Sequence, residues 1–233
     1  MSDNGNRIAN TSEGFETARR EIVARQIHDR GIRSVRVLDA MESVPRHLFV
    51  PAEHLPEAYV DEPLPIGEGQ TISRPFMVAA MAEALSLDGH ERVLEIGAGC
   101  GYQAAVLSRL ACEVIAVESQ DVLAASARER LRRLGYTNVR VEEGDGPAGW
   151  PAAAPYDAIL VTAAAPSVPP PLIEQLSEGG RLVIPVGQPE RQELLRIVKR
   201  DRRTTEQSLC ACRFVPLLGR YGWRPDTGGI NRG

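Results

Sequence analysis

The sequence lacks several features that would point to particular classes of protein. No apolar run approaches the roughly 18 residues that a membrane-spanning helix needs. The formal net charge is only −4, so broad attraction to nucleic acid or to anionic membranes is not expected. The first twenty residues are polar and acidic and lack the pattern of a secretory signal. These absences predict a cytoplasmic protein with no membrane and no nucleic-acid partner.

Cysteine is also scarce. The four cysteines, at positions 100, 112, 210 and 212, form no pair of Cys-x-x-Cys units of the kind that binds zinc. We interpret them as reduced thiols and expect no metal. Cys210 and Cys212 would lie on one face of a strand, so a close pair stays open beside simple core packing. No Ser/His/Asp arrangement is recognisable, and we interpret the four histidines as surface or packing residues.

The sequence does contain a regular alternation of strand and helix patterns from Arg92 onward. Strands are predicted at Val93–Ile96, Val114–Glu118, Val139–Glu142, Ala158–Thr162, Arg181–Val186, Leu194–Lys199 and Leu209–Val215. Helices between the first five are predicted at Tyr102–Leu110, Gln120–Leu134 and Pro170–Ser177. This alternation predicts an α/β fold with a mostly parallel seven-stranded sheet covered on both faces. The last two strands have no helix between them and predict an antiparallel C-terminal hairpin.

An added helical region is predicted at the N-terminus. Phe15–Arg30 carries apolar residues at helical spacing, and Ser34 is placed to cap a second helix that ends at Pro45. The helical pattern returns at Phe76–Leu87, and the intervening residues 46–72, with several prolines and glycines, predict a long ordered loop.

We expect one domain over residues 15–218. Residues 15–90 would form a helical, substrate-side region, and residues 91–218 would form the sheet core. The ends, residues 1–14 and 219–233, are expected to be flexible.

A glycine-rich turn follows the first strand of the predicted core, where Val93–Gly101 reads Val-Leu-Glu-Ile-Gly-Ala-Gly-Cys-Gly. Glycines let the backbone pass close to a ligand, and the following helix N-terminus offers free N–H donors. A dinucleotide fingerprint would need glycine at position 102, where the chain has Tyr102. The G-x-G-x-G spacing with an acid two residues before it is typical of S-adenosylmethionine binders. The predicted cofactor-binding residues here are Glu95, Gly97, Ala98, Gly99 and Gly101.

Two acidic residues follow the next two strands. Glu118 ends the second strand, where a carboxylate can accept both hydroxyls of a ribose, although NAD enzymes place an acid similarly and a surface charge is the simpler interpretation. Asp145 and Gly146 follow the third strand, where Asp145 would accept from an adenine amino group or merely form an Asp-Gly turn. Ligands of open parallel sheets bind at the carboxyl ends of the strands, so we predict an adenosine-type cofactor there.

Two further segments carry a more specific likeness. Val44–Pro51 (Val-Pro-Arg-His-Leu-Phe-Val-Pro) and Pro65–Val78 (Pro-Ile-Gly-Glu-Gly-Gln-Thr-Ile-Ser-Arg-Pro-Phe-Met-Val) resemble signature segments of the protein-L-isoaspartate O-methyltransferases. The likeness extends from about Val23 to Leu218, and it includes Val93–Tyr102, Gly144–Gly146, Tyr156–Ala164, Glu178–Gly187 and Arg213–Leu217. Cys100 and Pro147 depart from the family's usual residues, but neither removes a polar group that the family requires.

The resemblance implies a Rossmann-like methyltransferase fold and an S-adenosylmethionine-dependent carboxyl O-methyltransferase. Such an enzyme methylates the free carboxylate of L-isoaspartyl residues in damaged proteins and peptides, releases S-adenosylhomocysteine and initiates repair through a succinimide. Ser73 matches the family's active-site serine, and Gln70, Thr71 and Ile72 would line the cofactor and substrate cleft. From the spacing alone, Ser73 caps the helix that begins near Pro75, and the two roles are compatible.

Other functions stay open at this point. A methyltransferase of the same fold that acts on a specific aspartate of a modified peptide would keep the same cofactor site and Ser73. An NAD-dependent oxidoreductase or a non-catalytic nucleotide sensor is disfavoured by Tyr102 and by the substrate-side segments. Because an enzyme that modifies proteins must admit bulky substrates, we expect a monomer.

Overall fold

The computed structural model describes residues 11–224, and the chain begins there with helices. Helix α1 spans Ser12–Ile22 and continues without a break as a π-helical segment, Val23–His28. Thr11 caps α1 by accepting a hydrogen bond from the Gly14 amide at 3.1 Å. The helix therefore starts three residues before the predicted boundary at residue 15. Residues 1–10 and 225–233, which belong to the two segments expected to be flexible, lie outside the described residues.

The second helix confirms its predicted cap. Helix α2 spans Val35–Ser43, and the Ser34 hydroxyl accepts a hydrogen bond from the Val37 amide at 3.4 Å. The helix ends before Pro45, which cannot donate a hydrogen bond to continue it.

Residues 46–72 were expected to form a loop without regular elements, and that expectation is wrong. Short 3₁₀ turns occupy Arg46–Leu48 and Ala52–Glu57, and strands β1 (Leu64–Gly67) and β2 (Gln70–Ile72) form an antiparallel hairpin. The two residues of its turn, at positions 68 and 69, both have positive φ, the backbone that two-residue hairpin turns require. Helix α3, Pro75–Leu85, follows the hairpin.

A seven-stranded sheet forms the centre of the fold. Its strands are β3 (Arg92–Ile96), β4 (Glu113–Glu118), β5 (Val139–Glu143), β6 (Tyr156–Val161), β7 (Leu176–Gln188), β8 (Arg191–Arg200) and β9 (Arg203–Cys212). Their order in the sheet is β5-β4-β3-β6-β7-β8-β9. The first five strands in this order are parallel to one another. The Rossmann-like, mostly parallel sheet is confirmed.

Helices cover both faces of the sheet, which explains why the central strands are apolar without alternation. Helices α4 (Tyr102–Leu107), α5 (Asp121–Arg133) and α6 (Pro170–Glu174) connect successive strands. In β4 and β6, the side chains on both faces of the sheet are buried, as in Val114–Val117 and Ala158–Val161. Strand order reverses between β3 and β6, because β3 leads to β4 on one side while β6 leads to β7 on the other. Ligands of such sheets bind in the crevice at that position.

The predicted antiparallel C-terminal hairpin is confirmed in β8 and β9, and β7 extends it into a three-stranded antiparallel meander. Both β7 with β8 and β8 with β9 pair antiparallel. Strand β9 ends at Cys212, whereas the sequence pattern placed the strand at Leu209–Val215. Asp201 and Arg202, both with positive φ, form a tight turn that pairs Arg200 with Arg203. Strand β9 therefore begins and ends earlier in the chain than the sequence pattern predicted.

After β9 the chain crosses the carboxyl edge of the sheet. Pro216 pairs with Ala164, and the Trp223 indole donates to the Ala164 carbonyl at 3.0 Å. The Trp223 amide donates to the Leu217 carbonyl at 2.7 Å. The segment from Gly219 to residue 224, part of the tail that was expected to be flexible, is therefore hydrogen-bonded to the sheet edge through Trp223. Within residues 11–224, no helix has the length and apolar character needed to span a membrane.

Candidate active site

The glycine turn after β3 has a backbone that only glycine adopts easily. Gly97 has a φ of 91°, and its amide donates to the Val117 carbonyl at 2.8 Å. A Cβ atom added to Gly97 would clash with the Thr162 hydroxyl. That hydroxyl donates to the carbonyls of Ile96 (3.0 Å) and Gly97 (2.7 Å), so it ties the end of β6 to the turn after β3. The crevice at the strand-order reversal is thus closed at its base by close backbone packing.

Glu118 is fixed at the end of β4 by backbone amides. One carboxylate oxygen accepts from Gly99 at 2.8 Å, and the other accepts from Ser119 at 2.9 Å and Gln120 at 3.1 Å. The side chain is only 6% exposed. Each carboxylate oxygen offers more than one lone pair, so acceptor capacity remains for hydroxyls of a ligand. The interpretation of Glu118 as a plain surface charge does not fit this geometry.

A cavity of about 280 Å³, here called the glycine-turn cavity, lies above these residues. Six of the residues predicted from the sequence line it: Gln70, Thr71, Gly97, Gly99, Glu118 and Gly146. They come from the β1–β2 hairpin and from the carboxyl ends of β3, β4 and β5. The fold therefore brings together residues that lie up to 76 positions apart in the sequence.

A second cavity of about 440 Å³, here called the Ser73 cavity, adjoins the first. Thr71, Thr162 and Val215 line both cavities. Ser73 lines only the second, together with Arg74 and Arg213 among its charged residues, and no acidic residue appears in its lining within the described chain. The two cavities are thus joined, with a carboxylate on one side and guanidinium groups on the other.

A family model described as "Protein-L-isoaspartate(D-aspartate) O-methyltransferase" matches residues 17–222 of this chain. The chain belongs to this family. A protein-L-isoaspartate O-methyltransferase from Roseiflexus castenholzii is 56% identical over 212 residues, which cover 91% of this chain and 97% of the relative. One from Methanoculleus marisnigri is 55% identical over 209 residues, covering 90% of this chain and 95% of the relative.

Solved structures of proteins described by the same name have the same fold. One has a TM-score of 0.80 and 33% identity, with 87% of this chain and 67% of that chain covered. Another, from Plasmodium falciparum in complex with S-adenosyl-L-homocysteine, has a TM-score of 0.73 and 25% identity, with 86% of this chain and 98% of that chain covered. The family resemblance read from the sequence is therefore confirmed.

Several residues predicted for the cofactor site do not line the glycine-turn cavity. These are Ile72, Glu95, Ala98, Gly101 and Asp145. Gly101 instead precedes α4 with a φ of 87° and packs against α5. One carboxylate oxygen of Asp145 accepts from the Arg220 amide at 3.3 Å, because the bound C-terminal segment lies over it. The structure thus gives Asp145 a partner that the expected adenine contact did not anticipate.

Glu95 is the most unusual of these residues. Its side chain is completely buried, and neither carboxylate oxygen has a hydrogen-bond partner among the described residues. Burial, and then the negative charge of Glu118, raise the pKa of Glu95 well above its ordinary value. Glu95 directly precedes Ile96 and Gly97, which line the cavity, and the negative charge of Glu118, another lining residue, acts on its carboxyl.

The predicted helix cap at Ser73 is wrong. Arg74 occupies the N-cap position of α3 without a capping side chain. Asp61 takes that role from outside the helix, because its Oδ1 accepts from the Phe76 amide at 2.8 Å. The Ser73 hydroxyl makes no hydrogen bond to any residue between 11 and 224.

Sequence reasoning missed some of the lining. Thr162, which it placed only at the end of a strand, lines both cavities, and the segment Val215–Leu218 lines the glycine-turn cavity. The position of Thr162 at the carboxyl end of β6 could have indicated a place in the site, because ligands of parallel sheets bind at that edge. The segment Val215–Leu218 was missed because the sequence pattern extended the last strand to Val215, whereas β9 ends at Cys212.

Proposed function

We propose that this protein transfers a methyl group from S-adenosylmethionine to the free carboxylate of L-isoaspartyl residues in damaged proteins and peptides, initiating their repair through a succinimide. The observation that carries the proposal is the pair of joined cavities in a chain of this family. The glycine-turn cavity has Glu118 at the place where a ribose is held in such folds, and the adjoining Ser73 cavity is lined by Arg213, whose positive charge suits an anionic acceptor.

The residues present fit the cofactor. Glu118 supplies acceptor capacity for ribose hydroxyls, and Gly97 and Gly99 line the cavity without side chains, so a ligand can approach their backbone closely. Neither oxygen of the buried Glu95 carboxyl has a hydrogen-bond partner among the described residues, and a nearby cofactor with a sulfonium and an ammonium group would favour its ionised form. We propose Gln70, Thr71, Gly97, Gly99, Glu118 and Gly146 as direct contacts. We also keep Ile72, Glu95, Ala98, Gly101 and Asp145 as residues that shape the site from behind. When bound, S-adenosylmethionine supplies an activated methyl group.

The chain's own residues then have to align the acceptor. A carboxylate with an ordinary pKa of about 3.9 is already ionised at neutral pH, so no general base is required. This agrees with a Ser73 cavity lining that contains no histidine within the described residues. Ser73 would orient the acceptor carboxylate through its hydroxyl, and Arg213, which forms no ion pair with another described residue, would attract it. Alignment of this kind contributes to rate by holding the reacting atoms in place.

The test is methyl transfer from labelled S-adenosylmethionine to two synthetic peptides that differ only in containing isoaspartate or aspartate. We expect labelling of the isoaspartyl peptide alone, with a base-labile product. Ser73→Ala should lower kcat by about tenfold or more, the effect of losing one hydrogen bond to a charged group, while cofactor affinity is unchanged. Confirmed cofactor binding with labelling of neither peptide would overturn the proposal and favour a methyltransferase for a specific aspartate of a modified peptide.

We also propose that the enzyme acts as a cytoplasmic monomer with no nucleic-acid partner. The net charge of −4 supports the last point, and the need to admit protein substrates supports the monomer. Light scattering on the purified protein tests the oligomeric state, since a mass near twice the 25.4 kDa of one chain would contradict it.

A further inference from the structure

Arg46 is a completely buried arginine that binds backbone carbonyls instead of an acid. Its Nε donates to the Ala58 carbonyl at 2.8 Å, and its Nη1 donates to the Ser73 carbonyl at 2.8 Å. Its Nη2 makes a longer contact of 3.5 Å with the Glu62 carbonyl. No carboxylate within residues 11–224 forms an ion pair with it, and its side chain is 0% exposed. The guanidinium carbon lies 5.1 Å from the ring centre of Tyr102.

A buried cation without a partner acid is costly, so its contacts are informative. Loss of water around the guanidinium lowers the pKa of Arg46 from its ordinary value. Five N–H donors in a rigid plane suit an arginine to hold several acceptors at fixed positions, whereas a lysine would hold them loosely. The acceptors here belong to two separate segments of chain, residues 58–62 and Ser73. Arg46 therefore ties these two segments together.

Asp61 forms a second link between the same two segments. Its side chain is 7% exposed, and Oδ2 accepts from Arg30 at 2.6 Å and from the Nε of Arg74 at 3.1 Å. Its Oδ1 accepts from the Phe76 amide. Burial alone would raise the pKa of Asp61, but the hydrogen bonds from Arg74 and Phe76 outweigh it and lower the pKa below its ordinary value. The carboxylate is thus charged and fully engaged at neutral pH.

Ser73 lies between these two links. Arg46 holds its carbonyl oxygen, while Asp61 holds the next side chain, that of Arg74, and the amide of Phe76. Neither Arg46 nor Asp61 lines the Ser73 cavity. With the backbone fixed on both sides of Ser73, the direction of its side chain into the cavity is limited to its rotamers.

We propose that Arg46 and Asp61 are positioning residues for methyl transfer, and that they hold the backbone of Ser73 so that its hydroxyl meets the acceptor carboxylate. The inference rests on the proposed function. It deepens that function because alignment is the main contribution of the chain to the reaction, and a displacement of about 1 Å in such a site lowers the rate by as much as 10²-fold.

The experiment compares Arg46→Lys with a matched control, Arg181→Lys. Arg181 also donates to two backbone carbonyls, of Leu85 (2.7 Å) and Ser86 (2.6 Å), but it lies away from both cavities. We expect both variants to lose stability in urea. Only Arg46→Lys should lower kcat for an isoaspartyl peptide, by about tenfold or more, with the dissociation constant of S-adenosylhomocysteine within twofold of the wild-type value. A residue that merely supports the fold would not produce this split.

Asp61→Asn provides the second variant, and it carries the test if Arg46→Lys does not fold. The amide keeps an acceptor for Phe76 but loses the charge that holds Arg74, so kcat should fall by about fivefold to tenfold with cofactor affinity unchanged. Folded variants that bind the cofactor normally and retain kcat within twofold of wild type would overturn the inference. If the wild-type enzyme itself fails to methylate the isoaspartyl peptide, the proposed function is what fails.

Discussion

Replacement of Glu95 should make the protein more stable and weaken its cofactor binding at the same time. Both carboxylate oxygens are buried without a hydrogen-bond partner among the described residues. A buried polar group without a partner costs about 1–3 kcal/mol, and more if it is charged. Methionine fills nearly the same volume without these oxygens, so the substitution removes that cost. We expect Glu95→Met to raise the free energy of unfolding by that amount at neutral pH.

The pH dependence of stability gives a second, independent readout. The pKa of Glu95 is raised in the folded protein by burial and by Glu118. The folded state therefore holds the proton more tightly than the unfolded chain, whose glutamates have a pKa of about 4.3. The stability that this group contributes is fully present below the pKa of the unfolded chain. It decreases as pH rises from that value to the pKa of the folded state. Since glutamine does not ionise, Glu95→Gln should gain more stability over wild type at pH 8 than at pH 5.

Urea denaturation at both pH values, without cofactor, measures the stability change, and calorimetric titration measures cofactor binding. The positive charges of S-adenosylmethionine favour the ionised form of Glu95, so cofactor binding and ionisation of this carboxyl are linked. Neither variant can ionise at position 95, and both should therefore bind S-adenosylmethionine about tenfold more weakly, which corresponds to about 1.4 kcal/mol. Glu143→Gln, which removes an exposed carboxylate from the edge strand, serves as the control and should change neither quantity. A Glu95→Met protein that is less stable than wild type, or that binds the cofactor equally well, would refute the reasoning.

Three further predictions concern other parts of the site. Gly97→Ala should lower the free energy of unfolding by about 2–4 kcal/mol, because the new methyl group clashes with Thr162 and because φ at this position is positive. Urea denaturation measures the change, and an unchanged free energy of unfolding would contradict the prediction. Arg213→Gln should raise the KM for an isoaspartyl peptide about twofold to fivefold, less so at high salt, and an unchanged KM would contradict it. Burial, Cys210 and Glu193 raise the pKa of Cys212 to about 12. Because only the thiolate reacts, alkylation of Cys212 by iodoacetamide, measured by mass spectrometry, should accelerate about tenfold per pH unit between pH 8 and 10.

The sheet could be predicted from the sequence because its signal is local and repeated. Buried parallel strands are continuous apolar runs, as in Ile115–Val117, and the glycine turn that follows β3 is visible as a short motif. The errors occurred where single tight turns decide the register. Two residues with positive φ at positions 68 and 69 create the β1–β2 hairpin, and Asp201 and Arg202 shift β9 toward the N-terminus. Asp201 is a residue type that tolerates such a backbone, but Glu68 and Arg202 are not, so the pattern did not mark these two turns.

The residues around the cofactor site were harder to place than the fold. Glu118, Gly97 and Gly99 were recognisable because strand ends and glycine spacing are local features. Asp145 has a neighbour in space that the sequence did not indicate, Arg220, 75 residues later in the chain. Such a contact depends on how the C-terminal segment crosses the sheet edge, which no local pattern encodes.

Ser73 shows how the local and the tertiary structure compete for one residue. A serine followed by Arg-Pro at the start of an apolar helix is a favourable cap by itself. In the folded chain, the carboxylate of Asp61 binds the Phe76 amide instead, and a charged acceptor forms a stronger hydrogen bond than a neutral hydroxyl. Because Asp61 performs the capping, the Ser73 hydroxyl is not consumed by the helix and faces the cavity without a partner among the described residues. The same contact that contradicts the predicted cap thus leaves the Ser73 hydroxyl available for the contact with an acceptor carboxylate that we propose.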